Sequence, residues 1–196
     1  MDCVDKRTRG VGADHDERRR EIVEALLAII SEHGLDAVSL REVAAKAGVS
    51  VGRVQHYFRT KDQMLEAAFQ RVNELGAELV GRRLAGETSP RAVLRAIAAE
   101  LLPVDDLHRH ALQVGMAFTA RAVVEPTFAE RLRTGYGELR DLFVLLLTKA
   151  GVDATHEADL LLSLFEGLST HTLIGHHTPE SALAVVDAHL DRVFSR

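Results

Sequence analysis

Ser39-Leu40-Arg41-Glu42-Val43-Ala44-Ala45-Lys46-Ala47-Gly48-Val49-Ser50-Val51-Gly52-Arg53-Val54-Gln55-His56-Tyr57-Phe58 reads as two short helices joined by a tight turn. Ser39 followed three residues later by Glu42 carries the capping-box signature of a helix start. Gly48 ends that helix, because glycine enters the left-handed conformation without a Cβ penalty. Ser50 is a natural N-cap for the second helix and leaves its first backbone amides available to an anion such as a phosphate. Leu40, Val43, Ala44, Val49, Val54 and Phe58 are spaced to share one small core. Ala44 and Ala47 are small enough for the two helices to cross closely.

Charge gives this segment a direction. Between residues 39 and 61, Arg41, Lys46, Arg53, Arg59 and Lys61 face a single acid, Glu42, for a local charge of +4. The whole chain of 196 residues carries −5, and its acidic part follows Gly86. A basic island on an acidic body attracts phosphates at one place only; a solvated face is the ordinary alternative. If the second helix enters the major groove, Ser50, Val51, Gly52 and Arg53 lie nearest the base edges. Arg53 then pairs in bidentate fashion with guanine O6 and N7. Gln55, His56 and Tyr57 fall later on the helix and suit sugar and phosphate contacts, with Gln55 also able to read adenine. Lys61 clamps the flanking phosphate, and Ser39 and Arg41 complete the backbone-contacting set on the first helix.

The rest of the chain has helical periodicity throughout and only four prolines. Helices are expected over about 16–33, 61–83, 90–102, 105–122, 126–150, 155–175 and 179–194, besides the two short ones. The expected architecture is all-α with about nine helices. Residues 1–15 are expected to form a mobile arm, 16–62 a three-helix helix-turn-helix domain, and 63–196 a larger helical domain. No apolar run approaches the roughly 18 residues of a membrane span. The charged start does not resemble a secretory signal. The single Cys3 excludes an internal disulfide framework and a multi-cysteine zinc site. A cytoplasmic protein is the plain reading.

Ala47-Gly48-Val49-Ser50, Gly52, His56-Tyr57-Phe58, Lys61 and Met64-Leu65 together resemble the DNA-binding domain of TetR-family regulators, over about residues 16–65. The chain departs from that family at two positions. An aromatic residue is common where Gln55 stands, and a smaller residue where Arg53 stands, which shifts interest from an aromatic–phosphate contact to base reading by Arg53. Further on, Leu101-Leu102-Pro103-Val104-Asp105-Asp106, Ala117-Phe118-Thr119-Ala120-Arg121-Ala122 and Glu125-Pro126 are similar to regulators with the C-terminal domain of betaine-synthesis repressors. The resemblance implies a homodimeric repressor that binds a palindromic double-stranded operator and is released by a small-molecule effector.

In that reading the helices from about 90 to 176 enclose the effector. Met116, Thr119, Tyr136, Phe143, Glu166 and Thr170 are its candidate contacts, as polar or aromatic residues on otherwise apolar helices. Glu166 stands out, since a carboxylate among leucines needs a partner, a function or a place at a solvent edge or dimer rim. The helix holding Leu161, Phe165 and Leu168 is apolar around most of its circumference, and Leu183, Val186 and Leu190 form a second stripe. These six are the expected dimer contacts, with a buried central helix of a monomer as the alternative. His171, His176 and His177 are spaced five and six along a presumed helix, which separates their imidazoles; a frayed helix end without metal is expected. No cofactor is expected, and no nucleophile–base constellation supports an enzyme. A helical enzyme or carrier that keeps the motif as scaffold is the competing reading, and activation is as compatible with the motif as repression.

Overall fold

Caps, prolines and glycines divide the chain into helices. The computed structural model describes residues 7–195, with side chains from His15 onward. The elements are α1 (Arg7–His33), a 3-10 turn (Leu35–Ala37), α2 (Leu40–Lys46), α3 (Val51–Tyr57), α4 (Lys61–Leu84), α5 (Pro90–Glu100), α6 (Asp106–Val124), α7 (Pro126–Lys149), α8 (Glu157–Leu173) and α9 (Pro179–Phe194). Nine α-helices and no strand occur among the described residues, the all-α architecture expected from the periodicity. Pro90, Pro126 and Pro179 each stand at a helix start, where the missing N–H would have no intrahelical partner. α1 begins at Arg7, so the part of the expected arm from Arg7 to His15 is helical. Residues 1–6, with Cys3, lie outside the described residues.

The chain forms two compact units that divide within α4, after Val72. The division lies beyond the boundary expected at residue 62; the first turns of α4, with buried Met64, Leu65, Ala67 and Ala68, belong to the N-terminal unit. In that unit α1 packs against α2 and α2 against α3. Ile22, Leu26 and Ile30 of α1, Val43 and Ala44 of α2, Val54 of α3 and Phe58 are all buried. Arg19 stacks its guanidinium 5.3 Å from the centre of the Phe58 ring. Lys46 pairs with Glu32 at 2.9 Å, linking α2 to α1.

The C-terminal unit is built around Leu94 and Ile97 of α5, Phe143 and Leu147 of α7, Leu161, Phe165 and Leu168 of α8, and Val186, Leu190 and Val193 of α9. Arg95 reaches both carboxylate oxygens of Asp187 (2.7 and 3.1 Å), holding α5 to α9. His189 Nε2 lies 2.6 Å from a Glu157 carboxylate oxygen and joins α9 to α8. His108, only 6% exposed, sits between Asp105 (2.6 Å) and Glu100 (2.8 Å), and Glu100 also accepts from Arg83 of α4. Burial opposes a charge on His108, but hydrogen bonds to Asp105 and Glu100 more than offset it and hold its pKa above the ordinary histidine value. The hydrogen bonds from His108 in turn hold the Asp105 carboxyl below its usual range.

This core corrects the expected dimer contacts. Leu161, Phe165, Leu168, Val186 and Leu190 are buried within their own chain, and Leu183 is half-buried against the same cluster. The apolar circumference of α8 is divided between two faces. One fills the chain's own core. The other carries Leu160, 56% exposed, while Leu164 is half-buried against the core; on α9, Val185 is 40% exposed.

Candidate nucleic-acid interface and effector site

The α2–α3 turn is fixed at both ends by backbone and hydroxyl hydrogen bonds. Ser39 Oγ accepts from the Glu42 amide at 3.2 Å, and Ser50 Oγ accepts from the Arg53 amide at 3.1 Å. Gly48 has φ +65°, a conformation that strains any residue with a Cβ. The Gly48 amide donates to the Ala45 carbonyl (3.3 Å) and the Val49 amide to the Ala44 carbonyl (2.9 Å). Together these make a Schellman turn, whose two flanking side chains, Ala44 and Val49, are apolar.

Val54 and Phe58 point into the core and so orient α3. Ser50, Val51, Gly52, Arg53, Gln55 and His56 are left exposed, while Tyr57 and Lys61 are half-buried; Ser39 and Arg41 at the start of α2 are exposed too. Among the described residues Arg41, Arg53, Arg59 and Lys61 enter no ion pair, whereas Lys46 is neutralised by Glu32. The segment's accessible positive charge therefore rests on four side chains. His56 and Tyr57 also contact a residue that sequence reasoning passed over. The His15 ring of α1 lies 4.7 Å from Tyr57 and 6.1 Å from His56. The stretch around His15 is polar and lacks an apolar stripe, so periodicity gave no sign that α1 extends beside the second helix of the motif.

In the C-terminal unit, three expected effector contacts converge from three helices. Tyr136 of α7 lies near Thr119 of α6 and Glu166 of α8, close enough for each to bear on its ionisation. Burial pushes the Glu166 carboxyl above its usual range, only partly opposed by the hydrogen bond from Tyr136. Burial, and then the Glu166 charge, likewise raise the Tyr136 phenol. The other expected contacts lie elsewhere. Phe143 is fully buried and meets Phe165 edge-on at 5.6 Å, as a core residue rather than a contact facing open space. Met116 is 41% exposed on α6, because it lies on a face no other helix covers fully. Thr170 is half-buried one turn beyond Glu166.

The histidines require a correction. His171, His176 and His177 do not splay from a frayed end: one ligand nitrogen from each lies within 4.8 Å of the other two. α8 stops at Leu173, and Gly175 (φ +79°) reverses the chain, so helical spacing no longer applies beyond it.

A small unit presenting a capped helix-turn-helix with basic side chains exposed on it, followed by a larger all-helical unit, is the arrangement of a DNA-binding transcription regulator. Residues 22–68 match the model for bacterial regulatory proteins of the tetR family, and residues 90–195 the model for the C-terminal domain of BetI-type transcriptional repressors. The HTH-type transcriptional regulator PksA of Bacillus subtilis is 30% identical over 166 residues, covering 82% of this chain and 81% of PksA. Among solved structures, a transcriptional regulator from Rhodococcus sp. Rha1 superposes with a TM-score of 0.80 at 30% identity, covering 90% of this chain and 96% of the other. A regulator from Saccharomonospora viridis, described in complex with choline, gives 0.76 at 22% identity, covering 92% and 97%. The chain belongs to the TetR family of transcriptional regulators, with a C-terminal domain of the BetI repressor type. Its relatives are regulators, not enzymes, and no described helix is long and apolar enough to cross a membrane.

Proposed function

We propose that the protein is a homodimeric repressor that binds a palindromic operator in the cytoplasm and is released by a small cationic effector. The observation that carries this reading is the exposed face of α3, where Arg53 stands without an ion pair on a helix held in place by Ser50, Val54 and Phe58. Arg53 reads a guanine, Gln55, His56 and Tyr57 bind the flanking backbone, and Lys61 clamps a phosphate. A second copy covers the outward face of α8 and α9 bearing Leu160 and Val185, since exposed apolar side chains favour burial.

The effector reading rests on Glu166. Its half-buried carboxylate meets Tyr136 and, among the described residues, no basic side chain, an arrangement that favours a cation beside it. A structural neighbour described in complex with choline fits that chemistry. An effector that binds better to the form unable to hold DNA shifts the population away from the operator. A mobility-shift assay on DNA upstream of the protein's own gene tests the proposal, with choline as first effector probe. Binding that choline weakens, and that Glu166→Gln makes insensitive to choline, supports it. No binding at low salt overturns the repressor reading, and choline-independent binding overturns the effector assignment.

A further inference from the structure

Three of the ten histidines meet at the α8–α9 turn of the C-terminal unit. The backbone that assembles them is a Schellman turn. The Gly175 amide donates to the Thr172 carbonyl (3.1 Å) and the His176 amide to the His171 carbonyl (2.8 Å). Among the described residues the same turn occurs twice more. After α2 the two side chains it brings together are Ala44 and Val49. After α7, where the Val152 amide donates to the Leu147 carbonyl at 3.0 Å, they are Leu147 and Val152. Such turns ordinarily close over an apolar contact between those positions. At α8 the positions hold His171 and His176, and His177, whose amide also reaches the His171 carbonyl (3.3 Å), brings a third imidazole.

We propose that this turn is a three-histidine binding site for a divalent transition-metal ion, with zinc, nickel and copper the class that imidazole donors select. The ring centres lie 5.2 Å (His171–His176), 6.0 Å (His171–His177) and 5.0 Å (His176–His177) apart. Zinc–imidazole distances of about 2.0–2.1 Å in a tetrahedron require nitrogens roughly 3.4 Å apart. Side-chain rotations at these accessible positions close the present separations of up to 4.8 Å. The cluster contains no carboxylate, which disfavours calcium and magnesium. Three ligands leave a fourth position open to water or another donor.

The surroundings orient one of the three rings. His177 Nδ1 lies 3.2 Å from Ser181 Oγ. Ser181 is itself fixed, because its side chain and that of Thr178 form the reciprocal capping box at the start of α9. A hydroxyl on one ring nitrogen sets the orientation of the other, as second partners of metal-bound histidines do. The C-cap of α8 lies between His171 and His176, and the N-cap of α9 directly follows His177, so two helix ends frame the site.

The experiment titrates untagged, chelator-treated full-length protein with zinc chloride by calorimetry, and with cobalt chloride by visible absorption. One zinc per chain is expected, with intense cobalt bands of a four-coordinate ion. His171→Ala and His176→Ala should each weaken zinc by about 100-fold or more, and Ser181→Ala by about 10-fold, the range seen when second partners are lost. Zinc should also protect all three histidines of the unaltered protein from diethyl pyrocarbonate, a readout that needs no variant to fold. Unchanged stoichiometry and affinity in the His171→Ala/His176→Ala variant, or equal modification with and without zinc, overturns the proposal.

Discussion

The turn after α2 and the turn after α8 share a backbone and differ in what they hold. Each has a glycine at positive φ, the same pair of amide–carbonyl bonds, and a hydroxyl cap on the helix that follows: Ser50 in one, Thr178 in the other. After α2 the flanking side chains are apolar, and Ala44 is buried in the core that aims α3. After α8 they are imidazoles on the surface. The backbone motif therefore sets only a geometry, and the two side chains it brings together decide whether that geometry orients a helix or gathers ligands.

Exchanging those side chains puts the largest strain on this comparison. Ala44→His forces a ring into a filled core and should cost about 1–3 kcal/mol, with loss of DNA binding. The reverse exchange, His171→Ala with His176→Val, should stay within about 0.5 kcal/mol, as surface changes usually do. Urea unfolding of both variants reads the contrast, and equal losses would show that the two turns are not divided in this way. Removing Arg53 from the helix the first turn aims is expected to cost about 1–3 kcal/mol of discrimination at one base step, with little change in stability. A preserved preference for operator over scrambled DNA in Arg53→Ala would remove it as a base reader. Gly48→Ala and Gly175→Ala should behave alike, each destabilising by about 1–2 kcal/mol, because the left-handed backbone is common to both turns. Unequal melting shifts would mean that side chains contribute to the turn geometry as well.

The smallest effect concerns a different histidine. His108 is buried and paired with acids, whereas the three at the α8–α9 turn are surface groups. Because its folded pKa is raised, the stability His108 contributes is complete below the ordinary histidine value and is lost as pH rises through the raised one. Melting temperature across that interval should fall in the unaltered protein and stay flatter in His108→Gln.

How much of this was legible in the sequence follows from the range of the signals. The helix-turn-helix was readable because its determinants are local: Ser39, Gly48 and Ser50 each act within four residues of themselves. The convergence of Thr119, Tyr136 and Glu166 was legible only as three polar residues on apolar helices, with nothing to say that they lie near one another. The faces of α8 were misread because Leu160 and Leu161 are neighbours in sequence, yet one is exposed and the other fully buried. Apolarity alone does not say which side meets the chain's own core. The histidines were misread for the opposite reason, since helical spacing was carried past Gly175, where the helix has ended.

The Lys46–Glu32 pair has a consequence for DNA binding that a tally of basic residues hides. Affinity for a polyanion falls with added salt because each cation laid on a phosphate liberates a condensed counterion, about 0.9 logarithmic units per contact in duplex DNA. Lys46 already has a counterion, built into the chain as a carboxylate 2.9 Å away, and is expected to displace none from the DNA. The ionic-strength dependence of binding should therefore reflect Arg41, Arg53, Arg59 and Lys61, and Lys46→Ala should leave its slope unchanged.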